Sequence, residues 1–195
     1  MEQNDALALF KRAGAYLEGH FRLSSGLHSS GYMQSALVLQ HPADATALGT
    51  ALAAKLKELR PDVVLSPALG GIIIGHEVAR ALGVRAIFAE RAPAPAPTPA
   101  LGLRRGFTLE PGERVVVVED VFTTGGSTRE TMEVVKTAGA KVVGAAAIVD
   151  RSGGTIDFGV PYTTLITLSL PTYEQAKCPL CAQGVPLTKP GSRPG

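Results

Sequence analysis

Glu119 and Asp120 are adjacent carboxylates. They follow the apolar run Val115-Val116-Val117-Val118 and precede Val121-Phe122-Thr123-Thr124-Gly125-Gly126-Ser127. Thr123, Thr124, Gly125, Gly126 and Ser127 supply hydroxyls and a small, compliant backbone whose N–H groups can turn toward an anion at a helix N-terminus, which is how a phosphate is held. Two carboxylates beside such a cup would repel a bare phosphate. They suit a ligand that also carries hydroxyls, a bound Mg²⁺ or developing positive charge. An ordinary strand–loop–helix connection needs one N-cap and one glycine, not two acids with Thr-Thr and Gly-Gly together. The segment lacks the Gly-Lys-Ser/Thr ending of a P-loop and the spaced glycines of a dinucleotide fingerprint.

The elements around this segment follow from patterning. Val115 to Val118 reads as a strand buried on both faces, as in a parallel sheet. Ser127-Thr128-Arg129-Glu130 fits a capping box with Ser127 as N-cap, and Met132, Val135 and Ala138 line one face of the helix it opens, closed by Gly139. Asn4 and Asp5 open a helix expected to run to about Gly19, and Phe21 to Leu39 reads as strands around a polar loop. Pro42 starts a helix whose Leu48, Leu52, Leu56 and Leu59 share one face, ended by Pro61. Strands are expected at Val63 to Leu65, Val84 to Ala89, Leu101 to Leu109, Val142 to Val149 (ending in Asp150-Arg151) and Tyr162 to Leu168, with a helix from Ile72 to Leu82. Alternating strands and helices predict an α/β fold with a largely parallel central sheet flanked by helices.

Residues 92–99 are Ala-Pro-Ala-Pro-Ala-Pro-Thr-Pro, which favours extended, PPII-like chain and forbids helix or inner strand. Because the residues on either side read as halves of one α/β pattern, a surface excursion from a single domain (residues 1–195) is expected rather than a linker between two. Net charge of +2 with no Lys/Arg block gives no ground for nucleic-acid or membrane binding. The polar start Met1-Glu2-Gln3-Asn4-Asp5 is no signal peptide, and no apolar run reaches a membrane span, so a cytoplasmic location is expected. Cys178-x-x-Cys181 supplies two of the four ligands a structural zinc needs, so a zinc site would require a second subunit; a redox role has no βαβ context. His20, His28, His41 and His76 are scattered and show no metal-ligand spacing.

Val115 to Ser127 resembles, at every position, the phosphoribosyl-pyrophosphate (PRPP) motif of type I phosphoribosyltransferases: four apolar residues, an acidic pair, two further positions, two hydroxyl residues, glycine, any residue and a hydroxyl residue. Further segments resemble the orotate phosphoribosyltransferase family over nearly the whole chain. They are Phe21-Arg22-Leu23-Ser24-Ser25-Gly26-Leu27-His28-Ser29 with Tyr32 and Met33, Leu103-Arg104-Arg105-Gly106-Phe107, Asp150-Arg151, and the tail of about 171–195 that carries Cys178-Pro179-Leu180-Cys181. The resemblance implies the type I phosphoribosyltransferase fold, PRPP and orotate as substrates, Mg²⁺ carried mainly on PRPP, and a homodimer. It implies that Glu119 and Asp120 bind the ribose hydroxyls and stabilise an oxocarbenium-like centre, and that Val121, Phe122 and Thr123 to Ser127 line the 5′-phosphate. Pro67 to Gly71, with Gly70 and Gly71, corresponds to a pyrophosphate loop, and Arg151 with Thr123, Tyr32 and Met33 to the orotate site. Residues 91–106 correspond to a mobile hood over PRPP. Here the chain departs from the pattern: residues 92–100 carry no lysine, histidine or arginine, Gly70 stands where a lysine is common, and Ser24 where some relatives have one. Only Arg91 is therefore carried over as a PRPP-binding cation, and Arg104 and Arg105 are left between that role and solvated strand charge. The rivals are a purine phosphoribosyltransferase, and a PRPP-sensing regulator that has lost turnover, for which no basic stripe is present.

Overall fold

The proline that opens a helix at residue 42 and the valine run that opens a strand at 115 do so as their patterns dictate, and the chain between them alternates accordingly. In the computed structural model, which describes residues 1–23, 26–92 and 101–189, the order begins α1 (Gln3–Arg12), β1 (Tyr16–Arg22), β2 (His28–Met33), α2 (Ser35–Leu39), α3 (Pro42–Leu56), β3 (Val63–Pro67), α4 (Gly71–Leu82) and β4 (Arg85–Arg91). It continues with β5 (Leu101–Leu103), β6 (Arg114–Phe122), α5 (Gly126–Thr137), β7 (Lys141–Asp150), β8 (Tyr162–Thr167), β9 (Thr172–Tyr173), α6 (Pro179–Ala182) and β10 (Leu187–Thr188).

One sheet has the order β5-β4-β3-β6-β7-β8, parallel except for the antiparallel edge strand β5. Its faces are covered separately. Val64, Val116, Val118, Ala146 and Ile148 pack with α1, α3 and α4 through Phe10, Leu48, Leu52, Leu56, Ile74 and Val78. Val63, Leu65, Val115, Val117 and Ala145 pack on Met132 and Val135 of α5. Burial on both faces is why these strands read as continuous rather than alternating apolar runs. The chain leaves β3 through α4 toward β4, and leaves β6 through α5 toward β7, in opposite directions across the sheet. The gap between the carboxyl ends of β3 and β6 is therefore a topological switch point, where open α/β sheets bind ligands.

The second sheet, β10-β1-β2-β9, is a hairpin with one short strand added at each edge. Here several expectations are corrected. Helix α1 stops at Arg12, because β1 is needed to pair with β2 from Tyr16↔Met33 onward. Its cap is Glu2, which reciprocates with Asp5, not Asn4. Ala36 to Leu39 is helix, not strand, and buries Val38 and Leu39. Leu101 to Leu109 is strand only to Leu103, since Arg105 and Gly106 take positive φ in a turn. Arg104 and Arg105 are thus turn residues; Arg105 pairs with Glu90 at 2.9 Å and lies over Phe88. Among the described residues no helix is long and apolar enough to cross a membrane.

Candidate functional site

Parallel register brings the ends of β3, β4, β6 and β7 to one edge: Pro67 stands opposite Ala89, and Phe122 opposite Asp150. The loop after β6 then enters α5 through Gly125, which takes φ +76° and serves as the helix N-cap. Ser127 is therefore inside the first turn, and the expected capping box does not form. A β-carbon on Gly125 would lie 2.8 Å from both Arg129 Nη1 and Phe158 Cε1, so glycine is required by conformation and by space. Arg129 fixes the loop from below, donating to the carbonyls of Thr124 (2.7 Å) and Asp157 (2.8 Å). The first-turn amides of α5 have no intrahelical acceptors, and the helix starts from the loop that leaves β6 beside the switch point.

The two carboxylates have different surroundings. Glu119 accepts a short hydrogen bond from the buried Thr128 hydroxyl of α5. Burial, with smaller contributions from Asp120 and Glu130 and opposition from Thr128, pushes its carboxyl up to about 7. Burial likewise raises Asp120, opposed by the N–H of Val121, which donates to Oδ1 at 2.9 Å. A buried acid with a raised value favours the folded state when protonated; that stabilisation is complete below the unfolded value of 4.5 and is lost as pH rises through about 7. The interval corresponds to an upper bound of about 3 kcal/mol. Glu119→Gln is accordingly expected to raise the melting temperature of the ligand-free protein at about pH 8 and to have no such effect at about pH 4. Thermal unfolding at the two pH values checks this, and equal shifts at both would remove the role of ionisation.

Asp120 reaches toward the β3–α4 loop. A β-carbon on Gly70 would sit 2.7 Å from Asp120 Oδ1, and one on Gly71 2.9 Å from the Val118 carbonyl. The two glycines let this loop close against β6, so the predicted anion loop and the acidic pair share one crevice. Leu69 at the tip is 82% exposed, and the Ala68–Leu69 peptide is cis.

Arg151 follows β7 directly, and its N–H donates to the Phe122 carbonyl at 2.9 Å. Its guanidinium lies 5.8 Å from the Tyr32 ring centroid. Burial lowers its pKa, and its buried Nε has no hydrogen-bond partner. Burial raises the pKa of the Tyr32 hydroxyl, Arg151 opposes the rise and Asp120 adds to it. Met33 points to the other face of β2, is 3% exposed and packs in the core with Phe10 and Val38, so only Tyr32 of the pair stands beside Arg151. Arg91 ends β4 on the same sheet edge and pairs with Glu130 of α5 at 2.8 Å. Ser24, Ser25, the hood residues 93–100 and the tail beyond 189 lie outside the described residues.

Sequence reasoning missed one grouping. His20 and His28, eight residues apart on the two strands of the hairpin, meet Cys178 and Cys181 of the tail, with all four ligand atoms within 4.8 Å of one another. The expectation that the cysteine pair could find only two ligands within one chain is thereby corrected. The available signal was two histidines flanking a hairpin turn, but strand pairing was needed to make them neighbours.

Residues 35–169 match the phosphoribosyl transferase domain family. The orotate phosphoribosyltransferase of Pelotomaculum thermopropionicum is 52% identical over 99% of both chains, and that of Thermotoga maritima 49% identical over 95% of this chain and 96% of that one. Among solved structures, the orotate phosphoribosyltransferase of Aeropyrum pernix superposes with a TM-score of 0.70 at 29% identity, covering 83% of this chain and 92% of that one. The match in sequence thus runs through the PRPP-like loop, the hairpin and the tail alike, and the chain belongs to the orotate phosphoribosyltransferase family, built on the type I phosphoribosyltransferase fold.

Proposed function

We propose that this chain transfers the 5-phosphoribosyl group from PRPP to orotate, giving orotidine 5′-phosphate and pyrophosphate in pyrimidine nucleotide synthesis. The observation that carries the acceptor is Arg151: a half-buried guanidinium whose buried Nε has no partner, held over the Tyr32 ring at 5.8 Å at the edge of the carboxylate site. A planar fork of this kind matches a carboxylate or ring carbonyl on a flat acidic base. The donor is held by the amides and hydroxyls of Thr123 to Ser127 on its 5′-phosphate, by Glu119 and Asp120 on its ribose hydroxyls, and by the Gly70–Gly71 backbone at its pyrophosphate. As the base nitrogen bonds to the ribosyl carbon and the bond to pyrophosphate breaks, the nitrogen's proton passes to the departing pyrophosphate or water, and the positive charge that grows on the ring is faced by Asp120. The protein's contribution is positioning and fixed electrostatics, since no side chain here serves as a covalent nucleophile.

Mg²⁺ fits this setting because Glu119 and Asp120 are hard oxygen donors; the ion would be carried mainly on PRPP, with these carboxylates reaching it through the ribose hydroxyls and water. When bound it neutralises the pyrophosphate. Arg91 supplies a further cation there once it leaves Glu130. The reading includes a single domain, a cytoplasmic location and a homodimer.

Mixing the protein with PRPP, Mg²⁺ and orotate should deplete orotate absorbance. Turnover with a purine but not with orotate would overturn the acceptor, and PRPP binding without turnover of any base would make the chain a sensor. Gly70→Ala should lower kcat about 100-fold with little change in melting temperature, because the added methyl displaces the Asp120 carboxylate, 2.7 Å away, while Gly70 itself is exposed at φ −57°. Steady-state kinetics beside a thermal melt checks the pairing; undiminished kcat would detach this loop from Asp120.

A further inference from the structure

We propose that His20 Nε2, His28 Nδ1, Cys178 Sγ and Cys181 Sγ form a tetrahedral zinc site within one chain, which clamps the C-terminal tail across the N-terminal hairpin. Tetrahedral zinc with Zn–S near 2.3 Å and Zn–N near 2.05 Å sets its ligand atoms about 3.6 Å apart for sulfur to nitrogen and about 3.4 Å for nitrogen to nitrogen. Here the sulfur–nitrogen separations are 3.5 Å (Cys178 to His20), 3.7 Å (Cys181 to His20) and 3.3 Å (Cys181 to His28), and the two nitrogens are 2.9 Å apart. Seating the ion takes a small expansion of the histidine pair and a contraction of the widest separation in the cluster, which lies within 4.8 Å.

Hydrogen bonding alone does not account for this convergence. His20 Nδ1 donates to the Val185 carbonyl at 2.8 Å, which leaves Nε2 as the lone-pair nitrogen. One lone pair accepts one proton, yet three polar atoms gather on it. The Val185 contact is the outer-sphere bond that a zinc-bound histidine commonly makes, fixing the tautomer and turning the free lone pair toward the metal. His20 and His28 are 3% and 1% exposed and Cys178 is buried, while Cys181 is exposed, so the ion would sit at the rim of the hairpin with four protein ligands and no open position for substrate. Two thiolates and two imidazoles in a tetrahedron select zinc over the harder cations.

The tail supplies an independent reason. Of residues 171–189 only Cys178 is buried, so apolar contact does little to hold this segment. It is attached by two-residue strands on opposite edges of the hairpin, with Tyr173 opposite His28 on one side and Leu187 opposite His20 on the other. The cluster lies between those two attachments. Cys178 is the N-cap of α6 with Pro179 at its first position, and that single turn carries Cys181 round to the same point.

The full chain, expressed without a histidine tag and purified without chelator, should carry close to one zinc per chain by elemental analysis. Exchange for Co²⁺ should give the strong visible bands of a four-coordinate ion together with thiolate-to-cobalt charge transfer. Cys181→Ser should lose the metal and weaken the charge-transfer band, and a chelator should expose two thiols to alkylation and lower the melting temperature by several degrees. The cobalt spectrum of the unaltered chain needs no variant to fold. Metal-free protein that gives no thiolate–cobalt band on titration would overturn the site. So would thiols released by a reductant but not by a chelator, which means a disulfide. Native mass spectrometry showing one metal shared by two chains would overturn the intrachain clamp.

Discussion

Asp120→Asn is expected to lower kcat for phosphoribosyl transfer by roughly 100- to 1,000-fold, the range seen when one preorganised polar group aimed at a transition state is removed. Burial leaves the Asp120 carboxylate poorly solvated, so it responds more strongly to positive charge developing on the ribosyl ring than an exposed carboxylate would. Asparagine keeps the shape and an oxygen able to accept from the Val121 N–H, now at 2.9 Å, so the fold should survive. The melting temperature should hold or rise, because a buried acid is replaced by a neutral amide. Kinetics with saturating PRPP and orotate, beside a thermal melt, checks both halves. Full activity in a folded variant would mean that the acidic pair has been misread.

Arg151→Ala should raise the orotate KM by roughly 10- to 100-fold, from the loss of a charge-assisted hydrogen bond of about 1.5–3 kcal/mol, and leave the PRPP KM nearly unchanged. The separation follows from position: Arg151 lies over Tyr32 after β7, whereas the proposed phosphate cup belongs to β6 and α5. Arg151→Lys should recover little, since an ammonium cannot offer a planar pair of donors. A change confined to PRPP saturation would reassign the residue to the donor side.

The β6 segment shows how much a sequence alone can state. Four valines, two acids and a run of hydroxyls and glycines specify strand, acidic pair and strand-to-helix loop in order, because each part depends on neighbours in the chain. The helix faces were equally legible: Leu48, Leu52 and Leu56 are buried together as their spacing requires. The N-terminal hairpin was harder. Tyr16 to Arg22 carries no strong alternation, and its strand character comes from pairing with β2 and with β10, which arrives from the far end of the chain. Ser127 satisfied the capping rule, but Gly125 adopts the conformation that turns the loop and so takes the cap.

What the sequence by itself determined was the alternation of elements, the switch-point strand and its loop, and through them the chemistry of a phosphorylated, hydroxyl-bearing donor. These signals are local in the chain. The tertiary structure decided which side chains share a space: Gly70 against Asp120, Tyr32 rather than Met33 beside Arg151, and His20 and His28 around the cysteine pair. Sheet register and the return of the tail set those meetings, and both depend on contacts between residues far apart in the chain, which local spacing does not encode.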